Sequence, residues 1–356
     1  MLDRSKIKKI LIINFGGIGD VLLSQPALKA LKRYFFDSRV FFLGIPRTSE
    51  LIKDFPYIDE ARFFYKDHRY LLHNLKVLFE LRKNNFDLAI NMRTIADKFG
   101  SLMIRLIFGF INPKIKAGRD TSGRGYFFDI RIPEEDIGKK YEIEYDLELV
   151  RTLGVDEIIE REIDFFISPI QETEVKRILE REKILDSDIL VGIHPGGKPS
   201  HRWPIENFAL VIEELSKQID CKFAITADKN EIKLVKELID ISRVKPIDLS
   251  GRFSLKELAV FIKRCNLFIC NDTAPMHIAA IIKVPLIAIF GPGDLERFDP
   301  RKISSKATVF YRKTDCAPCN KLNCKSKKCL KRILPEEIIE EAIRLLKNKA
   351  FCRNYS

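Results

Sequence analysis

The chain of 356 residues contains one tryptophan, 4 methionines and 5 histidines, and it lacks any apolar run of the roughly 18–20 residues a membrane-spanning helix needs. The longest candidate, residues 102–111, is interrupted by Arg105, so no membrane span is expected. A secretory leader is not expected either. Basic residues precede Ile10 to Ile13, but this stretch is shorter than an h-region of about 7–15 residues. Without such a signal the 8 cysteines do not argue for an oxidising compartment, and the protein reads as cytoplasmic. With 17 glycines, 16 prolines, 46% hydrophobic and 31% charged residues, the composition excludes collagen-like sequence, disorder and a miniature disulfide scaffold. What remains is a globular chain long enough for about two domains, each with a core of its own.

Acidic residues are in the minority, 50 Asp+Glu against 62 Lys+Arg, which leaves a net charge of +12. The surplus lies at the ends: residues 1–150 carry +6, residues 151–300 carry −4 and residues 301–356 carry +10. A slightly acidic middle argues against one continuous nucleic-acid groove, and interleaved aromatic and basic motifs of the RRM kind are missing. A basic RNA-binding protein, the non-enzymatic alternative, therefore rests on charge alone. The basic first half and tail suit anionic lipid headgroups or a phosphorylated acceptor, although a generally lysine-rich composition gives the same numbers.

Short β-branched runs alternate with longer helical patterns, the signature of parallel α/β units. The first series has strands over residues 10–14, 40–43 and 88–91, with helices over 25–34, 71–83 and 101–108. The second has strands over 189–194, 222–227, 267–271 and 286–290, with helices over 205–218, 231–239, 255–263 and 276–282. Ser254 and Glu257 form a capping box that fixes one helix start, and Pro335 followed by Glu336 and Glu337 opens a final helix expected to end among Lys347 and Lys349. The stretch FFISPIQET, residues 165–173, reads as a hinge, which gives Rossmann-like domains over 1–165 and 166–332 and a helix and tail over 333–356. Such a pair makes an interdomain cleft, and ligands of open α/β sheets bind beyond the carboxyl ends of the strands.

The loops after the strands therefore matter most. After the first strand, Gly16, Gly17 and Gly19 precede Asp20 at the opening of a helix over 22–34. Glycines permit a tight turn and close approach of a ligand, but the third glycine of a dinucleotide fingerprint is missing. Asp20 is either a helix cap or a carboxylate poised to accept a proton, since a helix N-terminus favours its charged form. In the second half, Gly196, Gly197 and Lys198 precede His201 and Arg202, a combination of free amides and cations suited to a pyrophosphate. Trp203 reads as a packing residue rather than a base-stacking one. Glu231 belongs to a loop that either binds ribose hydroxyls or caps a helix. The densest cluster runs from Asn271 to Ala280, with Asp272, Thr273 and Ala274 at a helix start and His277 one turn on. Three such loops in register point to an anionic ligand.

At these residues the sequence resembles glycosyltransferase family 9, the ADP-heptose:lipopolysaccharide heptosyltransferases. The likeness is carried by ILIINFGGIGDVLLSQPALKALKR, HPGGKPSHRWPIENFA, LSGRFSLKELAVFIKRCNLFICNDTAPMHIAA and IAIFGPGD, in that order. The resemblance implies a GT-B fold and inverting sugar transfer. It implies that Asp20 is the general base, that Gly196, Gly197 and His201 lie in the donor-phosphate loop with Lys198 and Arg202, and that Phe253 lies near the nucleobase. Asp272, Thr273, Ala274 and His277 match the D-T-G-x-x-H element around the diphosphate and sugar, and Glu231 matches the carboxylate that holds ribose. Three departures stand out: His201 replaces a usual lysine, which passes the phosphate contact to Lys198 or Arg202; Ala274 replaces glycine; Asn91 stands where aspartate is frequent.

The implied reaction takes heptose from ADP-heptose to Kdo or heptose of the lipopolysaccharide core, on a lipid A anchor at the cytoplasmic face of the inner membrane, with no cofactor. A GT-B enzyme for another sugar and a nucleotide-sugar epimerase are the alternatives. Cys316, Cys319, Cys324 and Cys329 lie within 14 residues of a basic segment, a spacing open to a structural Zn²⁺, an iron–sulfur cluster, disulfides or free thiols.

Overall fold

A computed structural model describes residues 2–155 and 160–353, with side chains through residue 347. The chain divides into two compact units, Met1–Asp164 and Phe165–Ser356. The first contains strands β1 (Lys9–Ile13), β2 (Arg39–Gly44), β3 (Glu60–Phe63), β4 (Leu88–Asn91), β5 (Ile115–Thr121) and β6 (Ile130–Glu134). Its helices are α1 (Ile18–Leu23), α2 (Gln25–Tyr34), α3 (Ser49–Ile52), α4 (Leu71–Arg82), α5 (Lys98–Ile111) and α6 (Glu142–Thr152). The sheet is parallel throughout, in the order β3-β2-β1-β4-β5-β6. The order reverses between β1 and β4, the place where such folds bind ligands.

The second unit repeats the plan. Its strands are β7 (Leu190–His194), β8 (Lys222–Ile225), β9 (Ile247–Asp248), β10 (Leu267–Asn271), β11 (Leu286–Phe290) and β12 (Ala307–Tyr311), and its helices α7 (Pro169–Arg181), α8 (Ile205–Ser216), α9 (Ile232–Ile241), α10 (Leu255–Arg264), α11 (Ala274–Ile281), α12 (Leu295–Phe298), α13 (Lys328–Lys331) and α14 (Pro335–Arg353). The parallel order β12-β11-β10-β7-β8-β9 puts its switch point between β7 and β10. Fully buried β7, β10 and β11 read as continuous apolar runs because helices cover both faces of the sheet. α14 packs on α8 and contributes Ile338, Ala342 and Leu346 to the same core as Trp203 and Phe208.

Several elements differ from expectation. The helix over 22–34 is two helices broken at Ser24, because Pro26 in the first turn of α2 lacks the N–H that would continue α1. β5 escaped notice because it carries Arg119 and Asp120, and β6 because it contains Pro133, tolerated on an edge strand. Within the expected hinge, Pro169 opens α7 beneath a Ser168–Gln171 capping box. α14 runs on to Arg353; the side chains of Lys349 and Cys352 lie outside those described. Among the described residues no helix is long and apolar enough to cross a membrane.

Candidate active site

In the first unit, β1 ends at the switch point and its chain turns through Gly16 and Gly17 into α1. A Cβ on Gly16 would stand 2.5 Å from Cβ of Asp20 and 2.8 Å from Asn14 Oδ1, so only glycine allows the turn. Asp20 occupies the third position of α1, and its Oδ2 accepts the N–H of Gly17 at 2.6 Å. The glycine amide expected for a ligand is thus already directed at the carboxylate. Gly19 lies half-buried inside α1. Asp20 Oδ1 lies 2.7 Å from Nη1 of Arg93, which follows β4, the neighbouring strand across the switch point. Asn91 donates to the carbonyl of Arg93 at 2.6 Å, which fixes that loop. The departure at Asn91 therefore supports the residue that grips Asp20.

Behind this pair is a network that no local pattern announces. Arg93 Nη1 is also 3.5 Å from Glu142 Oε1, and Glu142 accepts from Nη1 of Arg119 at 2.8 Å. Arg119 is fully buried on β5 and also bonds Glu134 at 3.1 Å and Asp146 at 2.5 Å. Burial alone would lower the Arg119 pKa, but Asp146, Glu142 and Glu134 hold it well above the ordinary value. Burial raises Asp146 to about 7 against the opposing pull of Arg119, and Glu142 and Glu134 add to the rise. Removing one member of such a buried charge set leaves the others unpaired, a loss of about 3–5 kcal/mol.

In the second unit, the loops after β7, β8 and β10 converge. Gly197 has φ +118°, and a Cβ there would stand 2.4 Å from Thr273 Cγ2; a Cβ on Gly196 would stand 2.2 Å from Glu231 Oε2. Glu231 Oε1 accepts from Gly197 N at 2.7 Å and from Arg202 Nη2 at 2.9 Å, and Arg202 Nε donates to the Gly197 carbonyl at 2.7 Å. Asn271 donates to the carbonyls of Pro195 at 2.8 Å and Gly196 at 3.1 Å while accepting from Trp203 N, so one buried amide binds the glycine loop to the end of β10. Thr273 caps α11, and its buried hydroxyl oxygen has no hydrogen-bond partner among the described residues. Asp272 lies 3.9 Å from His201 Nε2 and closes on Gly293, where a Cβ would stand 2.0 Å from its Oδ2. Ala274 begins α11, and His277 is buried within it, edge-on to Phe298.

Burial pushes His201 down to about 4, with Lys198 adding to the effect, and burial likewise takes His194 to about 4. Both are neutral at pH 7. His201 therefore does not replace the charge of a lysine, and with Arg202 bound to Glu231 the exposed Lys198 is the cation turned to solvent in this loop. Phe253 is half-buried and stacks on Phe261, with ring centroids 5.3 Å apart. Trp203 packs against Phe208 and donates Nε1–H to the Ile333 carbonyl.

Of the alternatives open for the four cysteines, the structure has the thiols unpaired. Cys316 is exposed and Cys329 buried, Cys324 bonds Ser326 and the Lys327 amide, and all four are free thiols. Among the described residues no group of three or more His, Cys, Asp or Glu side chains is arranged to hold a metal ion. This segment also braces the glycine loop. Ser200 Oγ donates to the Lys321 carbonyl, Lys327 Nζ donates to the Arg202 carbonyl at 3.2 Å, and Cys319 N donates to the Pro292 carbonyl at 3.0 Å. Spacing among cysteines gave no sign of this role.

The chain is 28% identical over 347 residues to lipooligosaccharide heptosyltransferase 2 of Campylobacter jejuni, covering 93% of this chain and 96% of that one. It is 25% identical over 292 residues to lipopolysaccharide heptosyltransferase 3 of Escherichia coli, covering 78% and 81%. The glycosyl transferase family 9 structure from Veillonella parvula matches with a TM-score of 0.77 at 23% identity, over 96% of this chain and 97% of that one. The structure of E. coli ADP-heptose LPS heptosyltransferase II matches at 0.72 and 19% identity, over 96% and 99%. The fold is GT-B, with one Rossmann-like sheet in each unit. A family model matches residues 75–330, nearly three-quarters of the sequence, and on that match the chain belongs to glycosyltransferase family 9, the heptosyltransferases.

Proposed function

We propose that this enzyme transfers heptose with inversion from ADP-heptose to Kdo or heptose of the lipopolysaccharide inner core, at the cytoplasmic face of the inner membrane. The first unit takes the acceptor and the second takes the nucleotide sugar. The observation that carries the reading is the carboxylate of Asp20, held at a switch point by the Gly17 amide and Arg93. Each Asp20 oxygen is engaged once, which leaves a lone pair for the proton of the acceptor hydroxyl. As that proton passes to Asp20, the acceptor oxygen attacks the anomeric carbon, the bond to the diphosphate breaks, and ADP departs from the opposite face. Inversion follows from this single displacement.

Lys198, the Thr273 hydroxyl and the amides that open α11 suit the departing diphosphate, and they supply its stabilisation without requiring a metal. Gly196, Gly197 and Asn271 set the shape of that cradle, and Glu231 orders it through Arg202. Phe253 offers the nucleobase an apolar face. The acceptor is a lipid, so the enzyme works against an anionic membrane surface.

Mass spectrometry of a Kdo-containing lipid acceptor incubated with ADP-heptose tests the reading. Transfer by the wild type, lost in Asp20→Asn with ADP-heptose affinity retained, is the expected result. Near-normal turnover in that variant removes Asp20 from the mechanism. Heptose transfer absent but sugar moved from another nucleotide donor overturns the substrate assignment.

A further inference from the structure

α4 and α5 lie side by side, and each buries one apolar stripe: Val77, Leu78 and Leu81 from α4 join Ile104, Ile107 and Phe108 from α5 in the core of the first unit. That burial accounts for one face of each helix, and the outer face of a surface helix is ordinarily polar. Here it is not. Leu72, Leu75 and Phe79 form a second stripe on α4, and Phe99, Leu102 and Leu106 form one on α5 at i, i+3 and i+7. Leu72 is 82% exposed, Phe99 75% and Leu106 63%, so these are side chains standing in solvent. The helices are joined at this surface where Phe79 packs edge-on against Phe110, centroids 4.9 Å apart.

The charge around the stripes is mainly positive, with Asp97 at the cap of α5 tied to the Gly100 amide. α5 contains no acidic residue in its 14 positions but carries exposed Lys98 and Arg105, and α4 adds exposed Lys76. Glu80, the acidic residue of α4, is paired with Arg62. We infer that the α4–α5 face is a membrane-docking surface: the two apolar stripes enter the headgroup and acyl boundary of a bilayer while Lys76, Lys98 and Arg105 bind anionic headgroups. An apolar patch rimmed mainly by cations matches the composition of helices that lie in a membrane interface, and a net positive rim repels its own copy across a two-fold axis. The inference deepens the membrane reading given above, since it names the surface that would hold the enzyme beside a lipid acceptor.

Co-sedimentation of the full chain with vesicles tests it without any acceptor lipid present, so the result does not depend on the sugar-transfer assignment. Wild type is expected to bind phosphatidylcholine–phosphatidylglycerol vesicles, to bind pure phosphatidylcholine at least tenfold more weakly, and to be released by salt. The triple variant Leu72→Ser, Phe99→Ser, Leu106→Ser should bind the anionic vesicles about tenfold more weakly or worse, and Lys98→Glu with Arg105→Glu should do the same through charge. Both variants should keep wild-type circular dichroism and wild-type turnover on a soluble, deacylated acceptor while losing turnover on a bilayer-embedded one. Undiminished vesicle binding by the folded triple variant overturns the proposal. So does a shift from dimer to monomer in sedimentation velocity with vesicle binding unchanged, which would assign the face to a second copy. Wild type that binds vesicles but transfers no heptose to either acceptor would refute the reaction and leave the docking face standing.

Discussion

Arg93 Nη1 lies 2.7 Å from Oδ1 of Asp20 and 3.5 Å from Oε1 of Glu142, so one guanidinium joins the half-buried Asp20 to a carboxylate that is wholly buried. Its second partner is set in turn by Arg119. The orientation of Asp20 is therefore built from β4, β5 and α6 as well as from its own helix.

In the proposed mechanism Arg93 acts through Asp20, as a positioning residue. Arg93→Ala should lower kcat on the order of 10²-fold, because the carboxylate loses the contact that aims it, while ADP-heptose affinity stays within about twofold. Arg93→Lys should recover part of the loss, since a lysine places one charge there without the fork that also reaches Glu142. Steady-state kinetics with calorimetric donor binding checks the split. An equal fall in donor affinity would assign Arg93 to the nucleotide sugar.

How much of this was legible in sequence depended on how far apart the partners lie. The turn after β1 could be read because an apolar run, glycines and Asp20 follow one another in ten residues. Arg93 could not, because its partner lies 73 positions earlier and a lone arginine after an apolar strand carries no local motif. β5 was hidden for a related reason: an arginine inside a strand reads as surface, and only the carboxylates of β6 and α6 permit its burial. Trp203 packs, as its sequence reading expected. The bracing by the cysteine segment was not legible, because it depends on backbone carbonyls that any residue supplies.

Stability should respond to pH in two opposing ways. His194 and His201 are held near 4 in the folded chain against an ordinary 6.5, so the unfolded chain binds more protons between these values. Each histidine then costs stability on acidification through that window, by up to about 1.4 kcal/mol per pH unit. Asp146, raised from 3.8 to about 7, does the reverse: the folded chain binds its proton first, and stability falls as pH rises from about 4 to 7. Asp146→Asn should steepen the loss on acidification and His201→Asn should make it shallower. Urea unfolding across that range measures both slopes; parallel slopes in all three proteins would contradict the burial effects.

Gly197 is the glycine whose replacement should be felt most. Its φ of +118° strains any other residue, and an added Cβ would stand 2.4 Å from the methyl of Thr273. Gly197→Ala should cost about 1–3 kcal/mol of stability and displace the cap of α11. ADP affinity, read by calorimetry, should fall about tenfold or more, with Gly109→Ala, where a Cβ meets nothing within 4 Å, as the neutral control. Equal ADP affinity in a folded Gly197→Ala protein would remove this loop from the donor site.

Thiol chemistry should separate the four cysteines of the basic segment. Hydrogen bonds from Ser326 and then from the Lys327 amide lower the Cys324 thiol, whereas burial raises Cys329 and takes Cys221 to about 11. Only the thiolate reacts, so limiting iodoacetamide at pH 7 should label Cys324 well before Cys329 or Cys221, as read by peptide mass spectrometry. Buried Cys270, held well above its ordinary value, should react only on unfolding. Joint protection of Cys316, Cys319, Cys324 and Cys329 that a chelator abolishes would mean that a metal gathers them in solution. Labelling of Cys324 well before Cys329, unchanged by chelator, is the result that fits a segment held by hydrogen bonds to the glycine loop.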